Sequence, residues 1–319
     1  MLEAIRIVLF FLLTAIAIPG YAGASADCPS APEQPTPEMM QAAKLNARDH
    51  GFLWRISKDG RTSFLYGTMH VGKFDWAFPG PSLMQALRAT DTVALELDML
   101  DADIQNRLVK GMATLHSPAL PESLVKRMRQ QAESACVPYD AIAKLSPEMQ
   151  IDMLTLMVGR REGLDASYAT DAVLAGIGHG ANKNVVSLET PESQLQLMQM
   201  QDRQQTIEFV QDSLDELESG RSRTMLIRIA RVWANADYAD MEHFDEWCEC
   251  LNTGIEREMM KRLLDERNSN LADRIDALHR SGKRVFAAVG SLHMFGPIGL
   301  PTLMAERGYR VERVDFKPK

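Results

Sequence analysis

Two short stretches of the sequence place a histidine three residues after a glycine, where an apolar run ends. They read FLYGTMHVG and VFAAVGSLHMFG, so the glycines are Gly67 and Gly290 and the histidines are His70 and His293. The apolar runs are typical of buried strands, and glycine lets the backbone turn sharply without a side chain in the way. A lone histidine in such a turn is more often a hydrogen-bonded structural residue. The repeat near both ends of the chain favours two imidazoles delivered to one site.

Two glutamates also follow apolar runs: Glu96 lies in VALELD and Glu189 in VVSLET. In an open α/β sheet, functional side chains gather at the carboxyl ends of the strands, so we expect all four side chains to converge. Two imidazoles and a carboxylate can bind a divalent metal ion and leave positions open for water. The expected ligands are His70, His293 and Glu96, with Glu189 as a further candidate.

Each glutamate also has a structural alternative. Glu96 could cap a backbone amide, although an unpaired charge between two leucines is costly. Glu189 precedes Thr190 and Pro191 and could merely serve the start of the next helix. As a functional residue, Glu96 is either the third metal ligand or the general base.

The spacing of apolar residues also predicts the strands and helices that would position these side chains. The segment FLWRISKDGRTSFLYG predicts a hairpin with strands at 53–56 and 63–66. Further strands are predicted in TVALELD, NVVSLET, RVFAAVG and RVERVDF, separated by segments with helical spacing of apolar residues. One long amphipathic helix is predicted over 253–283. Strands alternating with helices indicate an α/β fold, with a mixed sheet, flanking helices and a large helical insert at about 101–282.

The beginning of the chain has the composition of an export signal. Arg6 is followed by an apolar stretch at 7–18, and Ala24-Ser25-Ala26 fits a cleavage site. We expect a signal peptide at 1–26, a proline-rich mature N-terminus with a lead-in helix at 27–50, and one domain at 51–319. The alternatives are an uncleaved anchor, for which the apolar stretch falls short of the roughly 20 residues of a spanning helix, or a lipid on Cys28. The expected location is periplasmic or secreted, with no membrane span after signal removal.

Export makes disulfides plausible. The cysteines are Cys28, Cys136, Cys248 and Cys250, and four cysteines allow three pairings. Cysteines two residues apart rarely have a Cα separation that suits a disulfide, so we expect Cys248 and Cys250 to pair with Cys28 and Cys136 in an unassigned order. A zinc site is the rival, but Cys-x-Cys is not the usual knuckle spacing.

Composition and motifs exclude several classes of protein. The formal net charge of -8 and the absence of a basic block argue against nucleic-acid binding. The sequence has no Walker loop, no Gly-x-Ser-x-Gly elbow and no His-Glu-x-x-His pair. Neither the oligomeric state nor the substrate follows from the sequence.

The quoted motifs, together with LLDERNSNLADRI and AAVGSLHMFGPIGLPTLMAERGYRVERV, resemble the TraB/GumN (TraB/PrgY) family, which includes the TIKI metalloproteases. The resemblance covers about 51–316. It implies an α/β core related to the erythromycin esterase and ChaN-like group, with motif histidines at His70 and His293 and an essential glutamate at Glu96. It also implies site-facing roles for Arg267, as an oxyanion or carboxylate binder, and for Asn268, as a substrate-binding residue.

The TIKI branch implies divalent-metal-dependent proteolysis. The leading hypothesis is therefore an exported hydrolase of a peptide or another small amide or ester, dependent on Mn, Co or Zn. The alternatives are a metal-free, esterase-like hydrolase that uses a histidine as general base, and a non-catalytic periplasmic protein that binds a peptide. Metal content after purification without chelator distinguishes among these hypotheses.

Overall fold

The computed structural model describes residues 28–29, 35–115, 118–251 and 254–316. The expected signal peptide at 1–26 lies outside the described residues. Within them, no helix combines the length and the apolar character needed to cross a membrane.

A β-hairpin forms one side of the sheet. Strand β1, Phe52–Lys58, pairs antiparallel with β2, Arg61–Thr68. Asp59 and Gly60 between them have φ values of 52° and 71°, the left-handed conformation that a two-residue turn between twisted strands requires. The predicted hairpin is therefore confirmed, and both strands are longer than predicted.

The other half of the sheet is parallel and orients the motifs. β3 is Thr92–Leu95, β4 is Asn184–Ser187, β5 is Val285–Gly290, and β6 is Arg310–Arg313. The strand order is β4-β3-β5-β2-β1-β6, in which β4, β3, β5 and β2 run parallel while β1 is antiparallel to both β2 and β6. The expected α/β fold with a mixed sheet is confirmed. The carboxyl ends of β2, β3, β4 and β5 consequently meet at one edge.

Helices cover the sheet and fill the long connections between strands. They are α1 Pro37–Leu45, α2 Pro81–Ala89, α3 Ala102–Thr114, α4 Glu122–Ser134, α5 Tyr139–Ile142, α6 Pro147–Met157, α7 Thr170–Gly180, α8 Pro191–Met198, α9 Arg203–Ser219, α10 Arg221–Ala234, α11 Tyr238–Glu242, α12 Phe244–Trp247, α13 Gly254–Met260, α14 Glu266–Arg280 and α15 Leu300–Glu306. The region expected as one insert at about 101–282 contains β4. The helical material is thus divided into one group between β3 and β4 and another between β4 and β5.

The predicted long helix near the end of the chain is interrupted by one wide turn. Between α13 and α14, Lys261–Asp265 forms a π-helical segment. Such turns are rare and often lie beside functional sites. Here the π-turn directly precedes Arg267 and Asn268, and the Leu263 carbonyl oxygen accepts a hydrogen bond from Arg267 Nη1 at 3.0 Å.

The disulfides correct the predicted pairing. Cys28 is bonded to Cys136, and Cys248 is bonded to Cys250, so the prediction that the last two cysteines pair with the first two is wrong. The physical reason is the conformation of Glu249, whose φ of 51° bends the chain so that the flanking Cα atoms lie 5.1 Å apart. That separation is within the range of a disulfide.

Candidate active site

The sheet brings the two motif histidines and Glu96 to one point. A Cβ atom built on Gly290 would lie 3.3 Å from Glu96 Oε1 and 3.6 Å from His293 Cδ2. The same atom would lie 3.7 Å from His70 Nε2. The three side chains come from the ends of β3, β5 and β2, which are adjacent in the sheet. We call His70, Glu96 and His293 the Gly290 cluster.

The two motif glycines make room for this arrangement. At Gly290 a side chain would occupy the space into which the cluster points. At Gly67 a Cβ would lie 3.0 Å from Ser291 Oγ and 3.1 Å from Ser291 Cα, so glycine allows the turn after β5 to lie against β2. Ser291 Oγ in turn donates to the Thr68 carbonyl oxygen at 2.8 Å.

Asn268 determines the tautomer of His293. Its Nδ2 donates to the carbonyl oxygen of Ile298 at 2.8 Å, so its Oδ1 faces His293 Nδ1 at 2.6 Å. Because an amide oxygen only accepts, His293 Nδ1 carries the hydrogen and Nε2 carries a lone pair. His293 Nε2 is buried, has no hydrogen-bond partner and lies 4.0 Å from Glu96 Oε1.

Asp171 holds His70 in the corresponding way. His70 Nδ1 donates to Asp171 Oδ2 at 2.8 Å, and both side chains are buried. A carboxylate at Nδ1 orients an imidazole and raises the basicity of its Nε2, as at many metal sites. Asp171 lies in the first turn of α7. The first residue of this helix, Thr170, is tied to the His70 loop because its backbone N–H donates to the Met69 carbonyl oxygen at 3.0 Å.

Arg267 joins the two glutamates. Its Nη2 donates to Glu96 Oε2 at 2.5 Å, and its Nε donates to Glu189 Oε1 at 2.8 Å. Gln194 Nε2 donates to Glu189 Oε2 at 3.0 Å and to Glu96 Oε2 at 3.2 Å. The remaining oxygen of Glu96, Oε1, accepts from Gly290 N at 2.7 Å. Glu96 therefore also caps a backbone amide, as its structural alternative proposed.

Burial shifts the pKa values of Glu96 and His293 in opposite directions. It raises the pKa of the Glu96 carboxyl, and the nearby Glu189 carboxylate adds to the rise while Arg267 opposes it. Burial also lowers the pKa of His293 well below its usual value, with the positive charges of Arg267 and His70 acting in the same direction. His293 is thus neutral at physiological pH. With both glutamates ionised, the Arg267 guanidinium balances one of the two carboxylates that it joins.

The chemistry of this donor set fits a divalent cation, because it combines two imidazole rings with a carboxylate. Its spacing is wider than that of bound ligands. Donors on one tetrahedral ion at about 2.1 Å lie roughly 3.4 Å apart, against 4.0 Å between His293 Nε2 and Glu96 Oε1. Across the described residues, no three His, Cys, Asp or Glu side chains stand ready to hold a metal ion.

The sequence-predicted residues occupy two layers. His70, Glu96 and His293 lie at Gly290, whereas Glu189 contacts Arg267 and Gln194, and Asn268 contacts His293. Glu189 is the most exposed of the predicted ionisable groups, with 10% of its side chain accessible. The roles predicted for these residues stay predictions, but their positions relative to one another are now known.

Sequence reasoning missed Asp171 and Gln194. Asp171 begins a helix far along the chain from His70, and an acidic residue in a first turn is ordinarily a helix-capping signal. Gln194 stands five residues after Glu189, at the end of the stretch ETPESQ. Its position on α8, one turn beyond the helix start, was the only available hint.

Comparison with known proteins finds a family and relatives that match most of the length of this chain. The sequence model of the TraB/PrgY/gumN family matches residues 52–313, a range that holds every residue of the site. The uncharacterized protein YbaP of Shigella flexneri is 24% identical over 246 residues, covering 76% of this chain and 88% of that protein. YbaP of Escherichia coli (strain K12) is 24% identical over 252 residues, covering 78% and 90%. No solved structure matches the chain.

Proposed function

The chain belongs to the TraB/PrgY/gumN family, and from that premise we propose that it is an exported hydrolase of peptide bonds or of other small amides or esters. The observation that carries the proposal is the meeting of His70 Nε2, Glu96 Oε1 and the His293 ring at Gly290. Two basic nitrogens beside a carboxylate are the groups that activate a water and transfer its proton.

The residues around the cluster support this chemistry by fixing it in place. Asp171 and Asn268 hold the δ nitrogens, so both rings meet at Gly290 and Nε2 of His293 keeps a lone pair. Arg267 and Gln194 hold Glu96 Oε2, which leaves Oε1 facing His293. Because the shared Arg267 contact keeps Glu96 from turning, we assign Arg267 a positioning role first; oxyanion stabilisation is its further role once a substrate enters.

His70, His293 and Glu96 would hold a divalent ion, and Glu189 would balance its charge through Arg267. Mn, Co or Zn held by these residues would supply Lewis acidity. The Glu96 carboxylate and the unpartnered Nε2 of His293 support such a cofactor. The chain's own contribution is to keep His293 neutral, orient Glu96 and shield the reacting groups from bulk solvent.

A metal-free hydrolase is the second candidate. It is favoured by the contacts of Glu96, whose two oxygens already accept from Gly290 N and Arg267. In that case His293 Nε2 is the general base, because it is the buried lone pair that no donor occupies. Export is supported by the Cys28–Cys136 disulfide, since such bridges persist in oxidising compartments.

An activity screen tests the proposal. The mature chain, purified without chelator, is assayed on peptide and ester libraries with and without added Mn, Co or Zn. Turnover that His293→Ala abolishes is the expected result. His243→Ala is the matched control, because His243 is exposed and pairs with Glu246 on its own segment. Turnover that survives metal removal selects the metal-free candidate. Tight peptide binding without turnover in any condition contradicts the hydrolase and selects the binding protein.

A further inference from the structure

Outside the Gly290 cluster, a disulfide lies beside a cavity. The Cys248–Cys250 disulfide borders a space of about 200 Å³, which Cys248 lines. The other residues around this space are Ser219, Gly220, Arg221, Thr224, Met225 and Glu249. Cys248 and Cys250 are only 3% and 0% exposed, so the cavity is the route by which a molecule would reach a sulfur atom. Since Cys248 lines it, Cys248 is the sulfur that would be attacked.

The Cys248–Cys250 disulfide is expected to stabilise the fold only slightly. A disulfide stabilises a fold mainly by restraining the unfolded chain, and that effect grows with the length of the loop it closes. Cys28–Cys136 spans 108 positions, whereas Cys248–Cys250 spans two. The short bridge also holds Glu249 at a φ of 51°, a left-handed conformation that non-glycine residues adopt at a cost. Stability alone therefore does not explain why these two sulfurs are joined.

The surroundings of Cys248 favour a charged sulfur. Cys250 N–H is directed at Cys248 Sγ at 3.2 Å, and a hydrogen bond to a thiolate stabilises it. Arg221 lines the same cavity, at the first turn of α10. A nearby cation and a helix N-terminus both stabilise thiolates at reactive cysteines.

We propose that Cys248 and Cys250 form a thiol–disulfide exchange site for a thiol small enough to enter this cavity, either a cysteine side chain of a peptide or a low-molecular-weight thiol. In the first step a substrate thiolate attacks Cys248 Sγ. The new bond joins substrate sulfur to Cys248, and Cys250 leaves as the thiolate. In the second step another substrate thiolate attacks the substrate sulfur, and Cys248 leaves as the thiolate. Two substrate thiols become one disulfide, the Cys248–Cys250 bond becomes two thiols after protonation, and no other oxidant is consumed.

The reverse half-reaction distinguishes the two sulfurs in folded protein. Cys250→Ser leaves a single thiol at Cys248, which should attack cystine, form a mixed disulfide and release cysteine. Cys248→Ser leaves a thiol at Cys250, which does not line the cavity, and should react at least about tenfold more slowly. Mass spectrometry of acid-quenched samples follows both, after circular dichroism has shown that each variant is folded. Equal rates for the two variants would overturn the assignment.

The forward reaction is tested on the oxidised mature chain. A peptide with two cysteines should be oxidised to its disulfide at one equivalent per chain, with new thiols at Cys248 and Cys250 and Cys28–Cys136 intact. Cysteine as the probe in a parallel sample tells a small thiol from a peptide substrate, and reaction with either supports the site. The proposal is contradicted if the Cys248–Cys250 disulfide of the folded protein stays intact with both probes. It is also contradicted if this disulfide reacts no faster than Cys28–Cys136.

Discussion

Each histidine of the Gly290 cluster is held by its δ nitrogen, and this contact determines what its ε nitrogen can do. Asn268 Oδ1 can only accept from His293, and Asp171 accepts from His70. If either δ contact is lost, the ring is free to place its hydrogen on Nε2, which would remove the lone pair from the reacting space. Under the proposed function, activity would therefore depend on two residues that hold the histidines from behind, Asn268 and Asp171.

Replacing Asn268 by leucine should therefore change the tautomer of His293. The buried Nδ1–H loses its acceptor, which should lower the free energy of unfolding by about 1–3 kcal/mol, and hydrolysis should fall by about 10–100-fold. Nitrogen-15 NMR of the imidazole reports the tautomer, and urea unfolding reports the stability. Asn270→Leu, at an exposed position of the same helix, is the control and should change neither. An Nε2–H tautomer in the wild-type chain would contradict the argument.

Gly290→Ala should disable the site while leaving the fold in place. The added methyl group would sit within 3.7 Å of all three cluster side chains, in the space that substrate or metal needs. Activity should be lost, and the free energy of unfolding should fall by about 1–3 kcal/mol, as for other overpacked core positions. Gly176→Ala is the matched control, since nothing lies within 4 Å of its added carbon and alanine favours helix. If Gly290→Ala retains full activity, the cluster is not where the reaction occurs.

At the scale of elements, the strands were the most predictable part of the molecule. Apolar runs on both sides of the Asp59-Gly60 turn identify the hairpin, and apolar runs likewise identify β3 and β5. The carboxyl ends of parallel strands share an edge whatever the connections between them, which is why His70, Glu96 and His293 could be brought together from sequence. Asp171 could not, because the packing of α7 against the His70 loop is a tertiary contact without a local signal.

Local backbone conformation explains two differences between the predictions and the structure: the cysteine pairing and the interruption of the long helix. The cysteine pairing depended on Glu249 adopting a positive φ, which non-glycine residues seldom do. The π-turn at Lys261–Asp265 likewise inserts a residue into an otherwise regular amphipathic pattern. Neither conformation can be recognised from apolar spacing, which reports which face is buried and not how the backbone turns.

Tyr238 ties α11 to the hairpin, and its titration should show in the stability of the fold. Its hydroxyl donates to the Leu53 carbonyl oxygen at 3.1 Å and accepts from Leu53 N at 2.7 Å. Burial raises the pKa of Tyr238 to about 12, whereas an unfolded tyrosine ionises near about 10. The unfolded chain therefore loses this proton first, and stability should fall as the pH rises from about 10 toward about 12.

The Tyr238→Phe variant isolates this effect because it has no hydroxyl to ionise. Its stability should be lower than that of the wild-type chain at neutral pH, and the difference should shrink above pH 10 by up to about 1.4 kcal/mol per pH unit. Urea unfolding followed by circular dichroism at a series of pH values measures the difference. Parallel curves for the two proteins would show that Tyr238 ionises equally easily in both states.

At the scale of the whole molecule, the Cys28–Cys136 bridge connects the N-terminal segment to the end of α4 across 108 positions. Removing it with Cys28→Ser and Cys136→Ser should lower the free energy of unfolding by about 2–5 kcal/mol, because a long loop is released in the unfolded chain. Cys248→Ser with Cys250→Ser, which opens a far shorter loop, should cost less. Urea unfolding of both double variants checks the order, and a larger loss for the second pair would contradict it.

The central claim is that His70, His293 and Glu96 form one hydrolytic site that binds a divalent ion. Calorimetric titration of Mn, Co and Zn into the metal-stripped mature chain, beside a His70→Ala, His293→Ala double variant, tests it most directly. We predict that the wild-type chain binds one ion of at least one of these metals. The double variant should bind it at least about 100-fold more weakly. Hydrolysis should return only when the metal-stripped wild-type chain is reloaded with the ion. Equal binding by the two proteins, or full hydrolysis by the metal-stripped wild-type chain, would contradict it.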